Sequence, residues 1–567
     1  MKRYILIITA LGLLVTSCKK FGDMNVNPIS PTGTEIGPLF NGVVSSLAYN
    51  GNEMFYLDNE IFYPETELGA LTSDAWGNFQ IGTQAVWDNY YYALANIRDI
   101  EKRLEEKSST DPEICDKVKA QLIVLKAFKT FKVTDYFGDI PYSEAGKIWY
   151  NTTEASNKKP KFDSQESIYK SLLNELVWAR DILNSGNTTT AMGNNYYSLE
   201  AYDVLYHNDY AKWGKIANSL ILKHGLRMYD KDTKQFADSL LKDAFYKPVI
   251  DDYWCGSGGF MLWPMTLNNS VGDVNWSFRE HRNLRMGETV FAQMSSDDDP
   301  TGAGIFDLRT YIFFDTNHKT DEFPQGAWRG FPQMKDASTP TEGGTPYERT
   351  RDQNYAFKGP GCLYSPFNYY LIRDNSDQAG FIPRILMSAA EVCFIKAEIA
   401  FKGIVSVSQM ESEQLIVSGI TNSYYIWLQL HSDATVQYNP VWKYTYPALA
   451  DALQSGDFYS VASSYASQIL NQVLYMNPEI PSPPSPEDLI KVVHQQRWLD
   501  LFRQPGEAWC LARRGMDTPT TTNHQKLTYY RLPYPPTEVT YNYDNYQEQI
   551  GKMSNGDTKY TKVWWMK

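Results

Sequence analysis

The stretch DPEICDKVKAQLIVLKAF, residues 111–128, decides the fold class of this 567-residue chain. Its apolar side chains recur three or four positions apart, at Ile114, Val118, Leu122, Leu125 and Phe128. This is the spacing of one buried face of an α-helix. Asp111, Pro112 and Glu113 come first, and a capping side chain, a first-turn proline and an acid are typical of a helix start. The stretch therefore predicts a helix that begins near Pro112.

A second apolar stripe lies just upstream, at Val86, Tyr90, Leu94, Ile97, Ile100 and Leu104. Only the polar turn 107–110 separates the two stripes, so they predict an antiparallel helical hairpin. Further helical patterns that suit such pairs occupy residues 165–183, 209–229, 387–401 and 485–515. Because no 34-residue period with fixed signature residues is present, the sequence predicts a mainly α fold of irregular, stacked helix pairs.

Two long regions, residues 251–285 and 315–382, differ from these helical segments. Both are rich in Gly, Pro, Asn, Asp and aromatic residues, and they show little helical periodicity. Irregular stretches of this length inside a compact domain are usually functional. We therefore expect irregular insertions that form a large loop-rich face on the helical scaffold.

The first residues have the pattern of an export signal. Lys2 and Arg3 precede the apolar stretch 4–15, whose length suits a signal peptide of about 7–15 apolar residues. A membrane-spanning helix needs about 20 such residues, so this stretch is too short to span. It ends in Val15-Thr16-Ser17-Cys18, an order that resembles a lipobox, in which the cysteine is acylated.

We therefore expect a signal peptide at residues 1–17, lipidation of Cys18, a polar tether at 18–34 and a folded domain at 35–567. The alternative is an ordinary cleavable signal with an incidental cysteine. Beyond the signal peptide the sequence has no second apolar segment of spanning length, so we expect the lipid to hold the domain on the membrane.

The negative charge of the chain argues against nucleic acid as a partner. The formal net charge is −13, and without a cluster of Lys and Arg such a chain would repel nucleic acid.

Three cysteines lie in helical patterns and are predicted to be buried: Cys115, Cys393 and Cys510. Cys255 and Cys362 lie in Gly-rich loops, where a disulfide is one possibility that the sequence leaves open.

Motifs for common enzymatic sites are missing from the sequence. It has no H-E-x-x-H, no G-x-S-x-G and no phosphate-binding loop with Lys-Ser/Thr. The run Asp297-Asp298-Asp299 suggests structural calcium, but it lacks the alternating order of a calcium loop, so a solvated loop is favoured. Two facing carboxylates are enough for a glycosidase, which keeps a surface glycoside hydrolase among the alternatives.

Five motifs resemble, in order, those of the SusD/RagB family of nutrient-binding outer-membrane lipoproteins, in its larger, starch-binding-associated branch. They are FGDIPYSEA at 137–145, WGKIANSL at 213–220, MSAAEVCFIKAE at 387–398, QRWLDLF at 496–502 and RLPYP at 531–535. One departure is that the family's compact Asp-Pro-Arg is split here, because Asp299-Pro300 runs into a loop before Asp307-Leu308-Arg309.

The resemblance implies a scaffold of tetratricopeptide-like helix pairs with an irregular ligand-binding face. It also implies localisation at the cell surface on the outer membrane. There the protein would act as the lid of a SusC-like, TonB-dependent transporter barrel and capture oligomeric nutrient. A catalytic role, a cofactor and a catalytic metal are not implied.

Aromatic residues make up 14% of the chain and are the best indication of a ligand. Sugars present flat C–H faces with hydroxyl rims, so their sites combine an aromatic platform with polar side chains. Trp76 lies in the short polar loop 72–78, where the family often keeps a sugar-contacting aromatic residue, and the two irregular regions contain Trp276 and Trp328. We predict a ligand-binding face made of Asp74, Trp76, Asn78, Trp276 and Trp328.

Core packing is the competing explanation for any single tryptophan. Five tryptophans lie in helical patterns and are predicted to belong to the core: Trp87, Trp178, Trp213, Trp498 and Trp509. The function we expect is non-enzymatic binding of an oligosaccharide. The alternatives are a peptide binder of the RagB type, a surface glycoside hydrolase, and a scaffold that only gates the barrel.

Overall fold

The structure is a computed structural model of the full chain. The residues that it describes are 36–48, 50–71, 77–110, 112–148, 158–186, 199–231, 235–251, 259–263, 284–316, 326–332, 364–368, 383–438 (with side chains to 432), 447–478, 480–515 and 527–567. Of the predicted features, Cys18, Asp74, Trp76, Cys255, Trp276 and Cys362 lie outside these residues.

Helices dominate the described residues. In the first half they are α1 Ile36–Ser45, α2 Gly51–Glu53, the π-helix Met54–Phe62, α3 Tyr63–Thr66, α4 Phe79–Lys107, α5 Pro112–Phe137, α6 Gln165–Leu183, α7 Tyr210–Met228 and α8 Gln235–Phe245. In the second half they are α9 Glu288–Ala292, α10 Arg309–Phe313, α11 Ala389–Phe401, α12 Gln409–Tyr438, α13 Pro447–Gln454, α14 Phe458–Leu470, the π-helix Asn471–Tyr475, α15 Pro486–Asp500, the 3₁₀-helix Leu501–Arg503, α16 Pro505–Gly515, α17 Pro536–Tyr541 and α18 Tyr543–Gly551.

The strands are short and pair two by two. They are β1 Gly69–Leu71, β2 Ile140–Pro141, β3 Phe162–Asp163, β4 Phe260–Leu262, β5 Leu284–Met286 and β6 Arg384–Met387. The antiparallel pairs are β1 with β5, β2 with β3, and β4 with β6. Within the described residues, no helix is long and apolar enough to cross a membrane.

The helical hairpin predicted from residues 86–128 is present. α4 ends at Lys107 and α5 begins at Pro112, so the polar turn lies where it was expected. The whole upstream stripe, from Val86 to Leu104, is buried in one hydrophobic core. α5 also packs against α6, α6 against α7, and α7 against α8. The prediction of a mainly α fold built from irregular helix pairs is confirmed.

The second half contains a 30-residue helix, α12, that the sequence analysis did not single out. Ile416, Ile420, Tyr424 and Leu428 are buried in it at four-residue spacing. α12 packs on both α11 and α14. A Cβ atom at Gly419 would lie 2.5 Å from the ring of Phe394, so this glycine permits the close approach to α11.

A buried network of ion pairs joins helices from the two halves. Lys223 on α7 lies 3.1 Å from Glu391 on α11 and 3.0 Å from Glu507 on α16. Arg497 on α15 pairs with Glu391 at 2.7 Å, and Arg227 on α7 pairs with Glu507 at 2.7 Å. Except for Glu507, at 19%, these side chains are at most 4% exposed. Glu391 and Arg497 lie in the quoted motifs 387–398 and 496–502, so both of these motif residues serve the scaffold.

Opposite charges decide the protonation states in this network. Burial alone would raise the pKa of Glu507, but Lys223 and Arg227 outweigh it and hold that pKa well below its usual range. Burial lowers the pKa of His224 well below its usual value, and the neighbouring Arg227 and Lys223 lower it further. These shifts favour the charged form of Glu507 and the neutral form of His224.

Most buried tryptophans and cysteines are where the sequence placed them. Trp87, Trp213, Trp498 and Trp509 are at most 4% exposed, and Cys115 and Cys510 are buried free thiols. Cys393 is only half-buried. Trp178, expected in the core, is also only half-buried, with its ring against the edge of the first core.

Candidate ligand-binding face

The β1–β5 pair brings together two of the segments that carry predicted ligand residues. Leu71, the last residue of β1, is paired with Leu284, the first residue of β5. Residues 72–76 follow Leu71 directly, and residues 264–283 directly precede Leu284. Because the strands are antiparallel, both segments join the same end of this two-stranded sheet. Leu71 and Leu284, the described residues next to these two segments, are thus adjacent.

The β4–β6 pair repeats this arrangement. Leu262 at the end of β4 is paired with Arg384 at the start of β6. Residues 264–283 follow this end of β4 and residues 369–382 precede this end of β6 in the sequence, so both segments join the same end of the pair. Arg384 anchors this end of the β4–β6 pair to the helical scaffold, because its guanidinium donates to the carbonyl oxygen of Ala48 and lies 3.8 Å from the Glu53 carboxylate.

Two further segments pack along β5. The backbone N–H of Phe331 donates to the carbonyl oxygen of Met286 at 2.8 Å, and the backbone N–H of Met286 donates to the carbonyl oxygen of Ser365 at 2.9 Å. Gly287 is required at the junction, since a Cβ there would lie 2.5 Å from the carbonyl oxygen of Glu67. The described segments on either side of residues 333–363 are therefore anchored at Met286, the end of the β1–β5 pair opposite Leu71 and Leu284.

Asn78 is an exposed residue at the start of α4, where the predicted loop ends. It occupies the N-cap position, but its side chain makes no capping hydrogen bond to the helix. Gly77 before it has φ +76°, the left-handed backbone that favours glycine. Asn78 is thus exposed two positions after Trp76 in the sequence, and its contact with a ligand stays a prediction.

Trp328 was predicted to lie on the ligand face, and this prediction is wrong for the structure described here. Its side chain is 2% exposed and belongs to the second hydrophobic core. The ring packs edge-on against Tyr311, with centroids 5.5 Å apart, and a Cβ at Gly302 would lie 2.5 Å from it. A loop aromatic residue with polar sequence neighbours was in this case buried by tertiary packing.

Glu67, just before β1, was not predicted, because no sequence motif identifies it. It adopts a left-handed backbone conformation, φ 59°, and is 1% exposed. Burial raises the pKa of its carboxyl to about 7, and the charges of Glu288 and Glu65 raise it further, while the Thr289 hydroxyl partly offsets the rise. This titrating group therefore lies at the Gly69–Met286 end of the β1–β5 pair, opposite the end that residues 72–76 and 264–283 join.

The Asp297-Asp298-Asp299 run forms a turn. Asp297 Oδ1 accepts a hydrogen bond from the backbone N–H of Asp299 at 3.1 Å, and Asp299 Oδ1 accepts two from Thr301 at 2.9 Å. Across the described parts of the chain, no group of three or more His, Cys, Asp or Glu side chains is arranged to hold a metal ion. Asp297 and Asp298 in this turn are exposed, and a solvated loop stays the prediction for this run.

Comparison with known proteins agrees with this architecture. Residues 30–535 match the model of the SusD-like family described as starch-binding and associating with the outer membrane. No curated protein matches the chain.

Solved structures share the fold. A SusD homologue from Parabacteroides distasonis has a TM-score of 0.65 at 17% identity, over 94% of this chain and 98% of its own. A candidate nutrient-binding outer-membrane protein from Bacteroides vulgatus has a TM-score of 0.66 at 17% identity, over 94% and 100%. A chitin-binding protein has a TM-score of 0.62 at 18% identity, with the same coverage.

The family match covers most of the chain and includes all five motifs, whose helices form the scaffold described above. The chain therefore belongs to the SusD/RagB family, in the branch of starch-binding proteins that associate with the outer membrane.

Proposed function

We propose that the protein is a cell-surface, lipid-anchored glycan-binding protein that works as the lid of a TonB-dependent transporter in nutrient uptake. The observation that carries the proposal is the Leu71–Leu284 pair. Residues 72–76, with Asp74 and Trp76, and residues 264–283, with Trp276, join the same end of this two-stranded sheet. The exposed Asn78 follows Trp76 by two positions in the sequence. We expect the aromatic rings and polar side chains of these segments to form one site, a combination that suits a sugar.

A glycan is favoured over a peptide for two reasons. The family is described as starch-binding, and a protein of similar fold is named for binding chitin. The predicted residues Trp76, Trp276, Asp74 and Asn78 also combine flat apolar surfaces with short polar side chains, which suits a neutral, hydroxyl-rich ligand. Binding without catalysis agrees with a family of binding proteins.

The transporter partner follows from the location of the protein. A protein that captures nutrient outside the outer membrane needs a second protein to move the ligand across it. Within the described residues, no helix is suited to span a membrane. Lipidation of Cys18 and the tether at 18–34 would hold the domain beside such a barrel while leaving it free to open and close over the entrance.

Two experiments on the purified mature protein and on native membranes test the proposal. A glycan array and a peptide library, probed in parallel, should give binding to glycans alone. Detergent extraction followed by affinity purification should recover a TonB-dependent barrel with the lipoprotein. Binding only to peptides would replace the ligand class, reducing-sugar release would make the protein a hydrolase, and repeated recovery without a barrel would remove the lid role.

A further inference from the structure

A groove lies in the helical scaffold, on elements other than the strands that carry the candidate face. It is a cavity of about 630 Å³ lined by residues of α4, α5 and α6, a volume within the range of about 300–1,000 Å³ typical of small-molecule sites. Its apolar lining includes Leu104, Cys115 and Ile123, each 3% exposed. Trp178 on α6 adds a half-buried indole ring.

The two sides of this groove are fixed by an ion triad. Lys126 on α5 lies 2.7 Å from Glu101 on α4 and 2.7 Å from Glu175 on α6, and the lysine side chain is 5% exposed. Arg98 holds Glu101 from the other side, at 2.9 Å. The helices that form the groove are thus positioned before a ligand arrives, which lowers the entropic cost of binding.

The polar lining favours a ligand rich in hydrogen-bond donors. Glu101, Glu105, Asp116 and Glu175 contribute carboxylates, which when ionised only accept hydrogen bonds. Asn174, which is exposed, adds an amide that both donates and accepts. Hydroxyl groups of a saccharide can donate to these carboxylates while the flat face of a sugar ring packs on an indole.

Lys119 places a positive charge over the Trp178 ring. Its ammonium lies 5.3 Å from the centroid of the Trp178 ring, and the lysine side chain is exposed, so it can move aside or donate to a ligand hydroxyl. We propose that this groove is a second binding site for a short neutral saccharide, with Trp178 as its platform. This inference rests on the proposed function in taking the ligand to be a glycan.

The test uses the full mature protein labelled with 5-fluorotryptophan, in which Trp178→Phe assigns the Trp178 resonance in ¹⁹F NMR spectra. Malto-, cello- and chitotriose are titrated into the wild type, Trp178→Ala, Asn174→Ala and Trp76→Ala. We expect a trisaccharide to shift the Trp178 resonance in the wild type and in Trp76→Ala alike. Trp178→Ala has no Trp178 resonance, so its binding is measured by isothermal titration calorimetry in the Trp76→Ala background, where we expect trisaccharide affinity to fall at least tenfold, as for the loss of a central anchor.

Asn174→Ala keeps the test valid if Trp178→Ala is unstable, since Asn174 is exposed and its truncation should weaken groove binding without unfolding. Tyr246→Ala, an aromatic residue 68% exposed on another surface, is the control and should change nothing.

The outcomes separate the two proposals. Trisaccharide binding that Trp76→Ala abolishes, with no shift at Trp178, overturns the groove site and leaves the proposed function standing. A Trp178 shift caused only by a lysine-rich peptide, and suppressed by salt, overturns the saccharide assignment. A trisaccharide shift at Trp178 that is insensitive to both salt and Trp76→Ala supports the groove site even if the loop face proves not to bind.

Discussion

The Lys223 ammonium lies 3.1 Å from the Glu391 carboxylate, and the two side chains are 1% and 0% exposed. They belong to different halves of the chain, on α7 and α11. Removing one partner of a buried pair leaves an uncompensated charge, which typically costs about 3–5 kcal/mol. Because Arg497 still pairs with Glu391, the remaining charges are only partly compensated after such a change.

We therefore expect Lys223→Met to lower the free energy of unfolding by about 3 kcal/mol or more, measured by urea denaturation. The matched control is Lys242→Met, which removes an exposed lysine from an i,i+4 pair with Asp238. Its cost should stay below about 1 kcal/mol. Equal effects of the two substitutions would show that the buried pair does not hold the scaffold together.

The scaffold was predictable from sequence to the extent that local spacing determines it. The stripes of α4 and α5 recur at helical intervals, and the structure buries them as expected. The helix α12 carries a similar stripe, but the positions beside it include buried polar residues such as Thr421 and Ser423, which weaken the contrast between its two faces. The Lys223–Glu391 pair joins residues 168 positions apart, and local periodicity says nothing about such contacts.

The candidate face was less predictable because burial of a loop side chain depends on tertiary packing. Trp328 has a sequence environment like that of Trp76, yet it lies in the second core. Trp178 shows the opposite error, since its helical spacing predicted the core and its ring lines a groove. The β1–β5 register, which sets which loops are neighbours, joins segments more than 200 residues apart.

Glu67 should make stability depend on pH. Burial, the largest cause, raises the pKa of this carboxyl from 4.5 to about 7, so the folded state binds its proton more tightly than the unfolded state. The resulting stabilisation is full below pH 4.5 and is lost as pH rises through about 7, up to about 3 kcal/mol. Glu67→Gln cannot ionise and should lack this loss.

Urea unfolding of wild type and Glu67→Gln at pH 5 and pH 8 measures the difference. The variant should gain stability relative to wild type at the higher pH. Glu166→Gln is the control, because the Glu166 side chain is 45% exposed and remains in water in either state. Parallel pH profiles for wild type and Glu67→Gln would mean that the Glu67 carboxyl is solvated in solution.

The lipid anchor can be tested separately from the fold. We expect Cys18→Ser to leave the melting temperature of the exported protein unchanged, since residue 18 lies in the expected tether. Membrane attachment should be lost, because each buried CH₂ of an acyl chain contributes about 0.8 kcal/mol. Membrane fractionation measures the change, with Cys393→Ser as the matched loss of a cysteine. A Cys18→Ser protein that stays in the outer-membrane fraction would contradict this assignment.

The last prediction compares two tryptophans that the sequence could not distinguish. Trp328 is buried, so Trp328→Ala should cost about 3–5 kcal/mol of stability, as large-to-small core substitutions do, and should lower the melting temperature. Trp76 is two positions from the exposed Asn78 in the sequence, and in the proposed site it supplies the sugar platform. Trp76→Ala should therefore leave the melting temperature almost unchanged.

Glycan binding, unlike the melting temperature, should respond strongly to Trp76→Ala. An open sugar site has an affinity of about micromolar to millimolar, or roughly −8 to −4 kcal/mol, so the loss of one anchor removes most of the measurable signal. We expect Trp76→Ala to weaken glycan binding at least about tenfold, equivalent to about 1.4 kcal/mol, measured by isothermal titration calorimetry with the best ligand from the array. Asn78→Ala should weaken it less, since it removes one hydrogen bond worth about 1 kcal/mol. Unchanged affinity in Trp76→Ala would remove this residue from the site, and a large fall in melting temperature would assign it, like Trp328, to the core.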